Sequence, residues 1–196
     1  MTSQQPDLVL YKRRNYELVG GDGDGLFDPK HHNLAFQGMT TSNYRGYVAT
    51  YAVKGGELLL RAVSGGGFFI EPPPRIAGHL PTKAELGSII RGGWLQYTKL
   101  ELPMAYTGRL VLGGGAFLAK PGFFPDPSIY ELVHELRFEE GHLVEAKDLS
   151  AEASQDPSLK FAEEHFPEEI VEVARQMVDL PPAATVRRTR PIDPTP

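Results

Sequence analysis

The segment Gly21-Asp22-Gly23-Asp24-Gly25-Leu26-Phe27-Asp28 carries the residue types a hard cation needs, three carboxylates on a glycine-rich backbone able to fold them toward one point. Its spacing does not match a calcium loop of EF-hand type. Counted from Asp22, the fifth and sixth positions are Leu26 and Phe27, where an oxygen ligand and a glycine belong, and the twelfth is Asn33 instead of a bidentate glutamate. His31 and His32 follow, but adjacent histidines project differently and neither has a partner at HExxH spacing. The simpler reading is an acidic turn; no metal site is assigned and no cofactor is expected, and whether Asp22, Asp24 and Asp28 hold a cation stays open.

Nucleophilic and acid/base chemistry find less support. The chain has no cysteine, which removes thiolate catalysis, disulfides and cysteine-based metal sites together. It has no GxSxG turn to present a serine. Ser64-Gly65-Gly66-Gly67 and Gly113-Gly114-Gly115 lack the lysine of a phosphate loop and open no clear helix, so both read as connections. The glutamates at 131, 135 and 139, and those at 163, 164, 168 and 169, read as charged surface. His134, among apolar neighbours, reads as a hydrogen-bonded rim or core residue.

A third group fits binding. Tyr44, Arg45 and Tyr47, Trp94 on an aromatic run, and Tyr106 with Arg109 are residue types that combine large contact area with directional donors. These six are the candidate binding residues, with no catalytic residue assigned. The competing reading is structural: Arg45, held close to the backbone by Gly46, closes the end of a sheet, and Trp94 belongs to the core.

The elements that must position them are mainly hairpins. Strand-favouring runs flank Gly55-Gly56, a dipeptide suited to a two-residue primed turn, which sets Lys54 opposite Glu57, Val53 opposite Leu58, Tyr51 opposite Leu60 and Ala49 opposite Ala62. Leu8 to Tyr11 and Tyr16 to Val19 form an earlier hairpin ending at Gly20-Gly21, followed by a loop over 20–40. Pro72-Pro73-Pro74 lies in a connection or on an edge. Pro81 to Leu86 is predicted as a short helix with Thr82 as cap. Trp94 to Leu100 and Gly108 to Leu112 are strands, with Gly113-Gly114-Gly115 separating the second from AFLAK. Ser128 to Arg137 pairs with LVEAKDL through a three-residue loop ending in Gly141, placing Phe138 opposite His142, Leu136 opposite Val144 and His134 opposite Ala146. Beyond residue 150 helix formers prevail, with Asp156-Pro157 as a start and Ile170, Val173, Ala174, Met177 and Val178 as a stripe for docking on the sheet.

The whole predicts an α+β fold, mainly antiparallel β, a curved sheet or partial barrel built from hairpins with a C-terminal helix packed on it. The β-rich domain covers 1–150, the helical extension 151–182 and a tail 183–196. The 196 residues are 41 % apolar and 23 % charged, enough for a real core. Net charge −5 disfavours a nucleic-acid partner, whose phosphates need a basic surface. The sequence has neither an apolar run of membrane length nor the charge order of a signal peptide, so a cytoplasmic location is expected.

TSNYRGYVATYAVKGGELLL, YTGRLVLG and YELVHELRFEEGHLVEAKDLS together resemble a group of uncharacterised bacterial β-rich proteins that share an Arg-Gly-Tyr-x-x-Thr-Trp/Tyr hairpin. The resemblance covers about a quarter of the chain. It departs at Asn43-Tyr44, where Cys-Trp is common, and in the long C-terminal extension. It implies shared architecture and carries over no activity. The expected function is a non-enzymatic intracellular binding protein, immunity- or inhibitor-like, acting on a protein partner. The alternative is a small-molecule binder or enzyme with a pocket inside the curved sheet, lined by Tyr51, Tyr106 or His134.

Overall fold

The computed structural model describes residues 4–38, 40–69, 72–85, 93–117 and 127–155. Among the described residues ten strands make one sheet. They are β1 (Leu8–Tyr11), β2 (Arg14–Asp24), β3 (Tyr47–Lys54), β4 (Glu57–Gly67), β5 (Lys83–Glu85), β6 (Gly93–Tyr97), β7 (Leu102–Pro103), β8 (Thr107–Phe117), β9 (Tyr130–Glu139) and β10 (His142–Asp148). The single α-helix among the described residues, α1 (Ser150–Gln155), follows β10 directly. The fold is therefore β-rich α+β and mostly antiparallel, with one parallel pair, β1 beside β3, that hairpin reasoning did not anticipate.

The strands run β10-β9-β8-β2-β1-β3-β4-β6-β5, and β10 also pairs with β4 through His142 and Glu57, so the sheet curls into a ring. Backbone hydrogen bonds from Leu58 N to Gly141 O and from Leu143 N to Gly56 O bind the two hairpin turns together at that seam. Tyr51, Tyr97, Tyr106, Phe138, Leu58, Leu60, Leu95, Leu110 and Leu136 fill the main core. A second, smaller core outside the ring gathers Val19, Val111, Tyr130, Val133, Leu149 and Ala153, where α1 covers β9. Each fully buried large apolar side chain contributes about 1.5–3 kcal/mol relative to exposure. No helix among the described residues is long and apolar enough to cross a membrane.

Several registers differ from expectation for identifiable reasons. The Gly55-Gly56 turn and the Lys54–Glu57, Val53–Leu58 and Tyr51–Leu60 pairs are as expected, but Ala49 meets Val63 because Arg61 bulges out of β4. The bulge turns the Arg61 carbonyl to Leu100 N and its guanidinium to Glu101. The β9–β10 turn has two residues, Glu140 and Gly141, both at positive φ, with a bulge at Val144. His142 therefore faces Glu139, Phe138 faces Leu143, Leu136 faces Ala146 and His134 faces Asp148.

The glycine runs are strand interiors and not connections. β4 continues through Ser64 to Gly67 against β6, and β8 continues through Gly113 to Gly115. Aromatic rings explain the second run: a Cβ at Gly114 would lie 2.6 Å from the Tyr16 ring, and one at Gly113 would lie 2.6 Å from the Tyr130 ring. Likewise β2 extends beyond Gly20-Gly21 to Asp24, and residues 29–32 form a 3-10 turn within the expected loop. The helix expected over Pro81 to Leu86 is instead β5 as far as Glu85. Thr82 gives both its N–H and its hydroxyl to the Gln96 carbonyl, holding the segment to β6. The 156–182 stretch and its apolar stripe, and the 183–196 tail, lie outside the described residues.

Candidate functional site

The acidic loop leaves β2 in a course only glycine permits. Gly23 and Gly25 have φ of 107° and 101°, and a Cβ on either would run into the backbone of 105–107, the Ala105 carbonyl lying 2.5 Å from the one at Gly25. Positive φ and close approach together exclude any side chain there. So the loop lies flat along the start of β8.

Tyr106 and Arg109 clamp the front of this loop. The Tyr106 hydroxyl donates toward the Asp22 carbonyl and also lies 2.9 Å from the Arg109 carbonyl. Arg109 donates its backbone N–H to the Asp22 carboxylate at 2.9 Å and pairs its guanidinium with Asp22 at 3.2 Å and with buried Glu135 at 3.3 Å. Lys147 supports Glu135 from the far side at 3.4 Å. Burial, then the neighbouring Asp22 charge, pushes the Tyr106 phenol well above its ordinary range.

The back of the loop is held by β3. Phe27 donates its backbone N–H to the Tyr51 hydroxyl at 3.2 Å, and burial raises the Tyr51 phenol far above its ordinary value. The Phe27 ring meets Tyr47 edge-on at 5.8 Å and stacks on His32 at 5.4 Å with planes 16° apart. Arg45 lies over the other side of Tyr47, 5.0 Å from its centroid. Its guanidinium makes a two-point ion pair with buried Asp7, at 2.8 and 3.0 Å, and Asp7 also accepts the Ala49 N–H at 2.8 Å. Burial opposes the Arg45 charge, but the hydrogen bond and charge of Asp7 outweigh it and raise its pKa.

Between the loop and the segment around β7 lies an open cleft of about 710 Å³. Leu26, Phe27, Leu60, Leu102 and Met104 give it apolar walls, Ala77 and Pro103 form one lip, and Asp24, Asp28, His31 and His32 form the other. Burial, together with the His31 charge, lowers the His32 pKa, with Asp28 opposing. A smaller hollow of about 210 Å³, bordered by Asp22, Gly23, Leu26 and Tyr106, adjoins it.

The six candidate binding residues therefore divide three ways. Arg45, Tyr47, Tyr106 and Arg109 brace the acidic loop from behind and in front. Tyr44 stands outward, 65 % exposed. Trp94 is 38 % exposed and not core, on the face of β6 opposite buried Leu95. His134 is buried inside the ring between the rings of Tyr11 and Tyr16, at 5.7 and 5.3 Å, with Nδ1 3.9 Å from Asp148. Tyr51 and Tyr106 are also in the core.

Sequence reasoning missed the opposite wall, Leu102, Pro103 and Met104. Its one available signal was the proline that interrupts the strand pattern at 103. The loop's donors are turned to other tasks: Asp22 binds Arg109, and an Asp28 oxygen accepts Lys30 N at 2.9 Å to cap the 3-10 turn. No group of three or more His, Asp or Glu placed to hold a metal ion occurs among the described residues.

No protein-family model, no curated protein and no solved structure matches the chain.

Proposed function

We propose that the chain is a non-enzymatic intracellular binding protein, immunity- or inhibitor-like in role, that engages a protein partner at the cleft beneath the acidic loop. The cleft carries this reading. It combines apolar walls with a few polar groups at the rim, the composition of binding pockets, and its volume lies within their usual range of roughly 300–1,000 Å³. The surrounding Tyr and Arg side chains support the loop in one shape, which lowers the ordering cost of binding. The same volume also favours a second reading, a small-molecule ligand in this cleft.

The test is a photo-reactive benzophenone amino acid placed at Ala77, on the cleft lip, or at Tyr44, on the hairpin mouth, in the full chain within its native cells. One protein adduct specific to the Ala77 position is the expected result. An adduct of small mass at Ala77 would establish the second reading. Adducts at Tyr44 with none at Ala77 would move the binding surface to the hairpin mouth and overturn the cleft.

A further inference from the structure

Resting on that binding reading, we infer that the cleft receives a basic side chain, arginine or lysine, presented by the partner protein. Two carboxylates on the cleft rim have oxygens open to a ligand. Asp24 is exposed on the rim and has no ion-pair partner among the described residues, and Asp28 uses one oxygen to cap the 3-10 turn, leaving the other oxygen for a ligand. Four other carboxylates are answered within the protein, Asp7 by Arg45, Asp22 by Arg109, Glu101 by Arg61 and Lys54, and Glu135 by Arg109 and Lys147, whereas among the described residues the exposed Glu57, Glu140 and Glu152 are left, like Asp24, to solvent. No lysine or arginine lines the cleft among the described residues.

The remaining walls suit the rest of such a side chain. A lysine or arginine stem is a run of methylenes that packs on apolar surface while its head reaches a polar rim. Leu26 and Met104 offer that surface below Asp24. The stacked Phe27–His32 pair adds an aromatic wall beside Asp28, and a guanidinium stacks on aromatic faces as an ammonium does less well. His32, held toward its neutral form by burial, leaves the wall uncharged near neutral pH. An acidic group entering here would meet Asp24 and Asp28 with no lysine or arginine among the described lining residues to offset them, and a wholly apolar one would leave both carboxylates unanswered.

The test uses the full chain, 15N-labelled, titrated with acetyl-Leu-Arg-Leu-amide and with peptides carrying norleucine or glutamate at the centre. The arginine peptide should shift the amides of Gly23, Gly25, Ala77 and Met104 saturably and bind about 10-fold more tightly than the norleucine peptide. The Asp24→Asn/Asp28→Asn double variant, which keeps the capping oxygen at 28, should erase that difference while its spectrum stays folded. Equal affinity for the arginine, norleucine and glutamate peptides would overturn the inference and leave the cleft a binding site, since cross-linking at Ala77 does not depend on charge. Absence of saturable shifts with the arginine peptide would also overturn it. n-Butylguanidinium binding as tightly as the arginine peptide would assign the cleft to a free small cation and overturn the protein side chain as occupant.

Discussion

Asp7 shows how a single residue decides what Arg45 is for. Its carboxylate is buried, a position that holds only where hydrogen bonds and an opposite charge replace water. Arg45 supplies two donors and Ala49 a third, tying the chain before β1 to the entrance of β3. Arg45→Ala would leave that carboxylate with one donor. Because the Arg45 side chain is about half exposed, at 47 %, water recovers part of the loss, and a cost of roughly 1–3 kcal/mol in urea unfolding is expected. Tyr44→Ala, at an exposed site, should stay within about 0.5 kcal/mol of the parent. Equal losses in the two variants would refute the clamp. At this scale the sequence is ambiguous for a physical reason: the planar donors and amphipathic rings that serve recognition serve equally well to lock a loop. Nothing in the local pattern of residues 44–47 points to Asp7, some forty positions away.

At the scale of elements, turn chemistry was readable and register only partly so. Gly55-Gly56 and the left-handed Gly141 were located from local residue types, because positive φ is a local demand, but the loop expected over 139–141 is a two-residue turn at Glu140-Gly141. The bulges at Arg61 and Val144 were not, because each depends on long-range partners such as Leu100 and Glu101 for Arg61. Lys12 and Arg13 form a turn with φ of 48° and 65° and no glycine, so composition did not mark it as a tight turn. The acidic loop drew notice only as a cation candidate set aside in favour of an acidic turn, and its opposing wall from Leu102 to Met104 was not legible, since apolar residues announce burial without saying what they face.

Two glycines allow the cost of backbone angle to be separated from the cost of crowding. Gly56 and Gly141 have nearly the same φ, 84° and 83°, but a Cβ at Gly56 meets nothing within 4 Å whereas one at Gly141 collides with the Met104 carbonyl. Gly56→Ala should therefore cost only the left-handed penalty, about 1–2 kcal/mol. Gly141→Ala adds displacement of the segment that forms the cleft wall and should cost at least about twice as much. Hydrogen exchange at Leu58, whose amide is bonded to Gly141, should accelerate more in the second variant. Equal destabilisation of the two would mean that the wall yields freely.

For the molecule as a whole, the ring is sealed by phenols, and this makes its stability sensitive to alkali. Burial raises the phenols of Tyr51, Tyr97 and Tyr106 above their ordinary value, Tyr97 to about 12. Their hydroxyls face backbone groups: Tyr97 donates to the Pro74 carbonyl at 2.7 Å, Tyr106 to the carbonyls of Asp22 and Arg109, while Tyr51 accepts from Phe27. A raised folded-state pKa means the native protein holds its proton where the unfolded chain releases it. The stabilisation is thus complete below the unfolded tyrosine pKa of about 10 and is lost as pH rises toward the folded values. Three such groups give a slope of about 4 kcal/mol per pH unit once the unfolded phenols are ionised. Unfolding free energies measured in urea should accordingly fall steeply between about pH 10 and pH 12, with tyrosinate absorbance from these residues appearing together with unfolding. Tyr97→Phe removes one proton from that balance and should lower the slope by about a third. A slope unchanged in that variant, or full tyrosinate absorbance while the fold persists, would show that the phenols do not seal the ring.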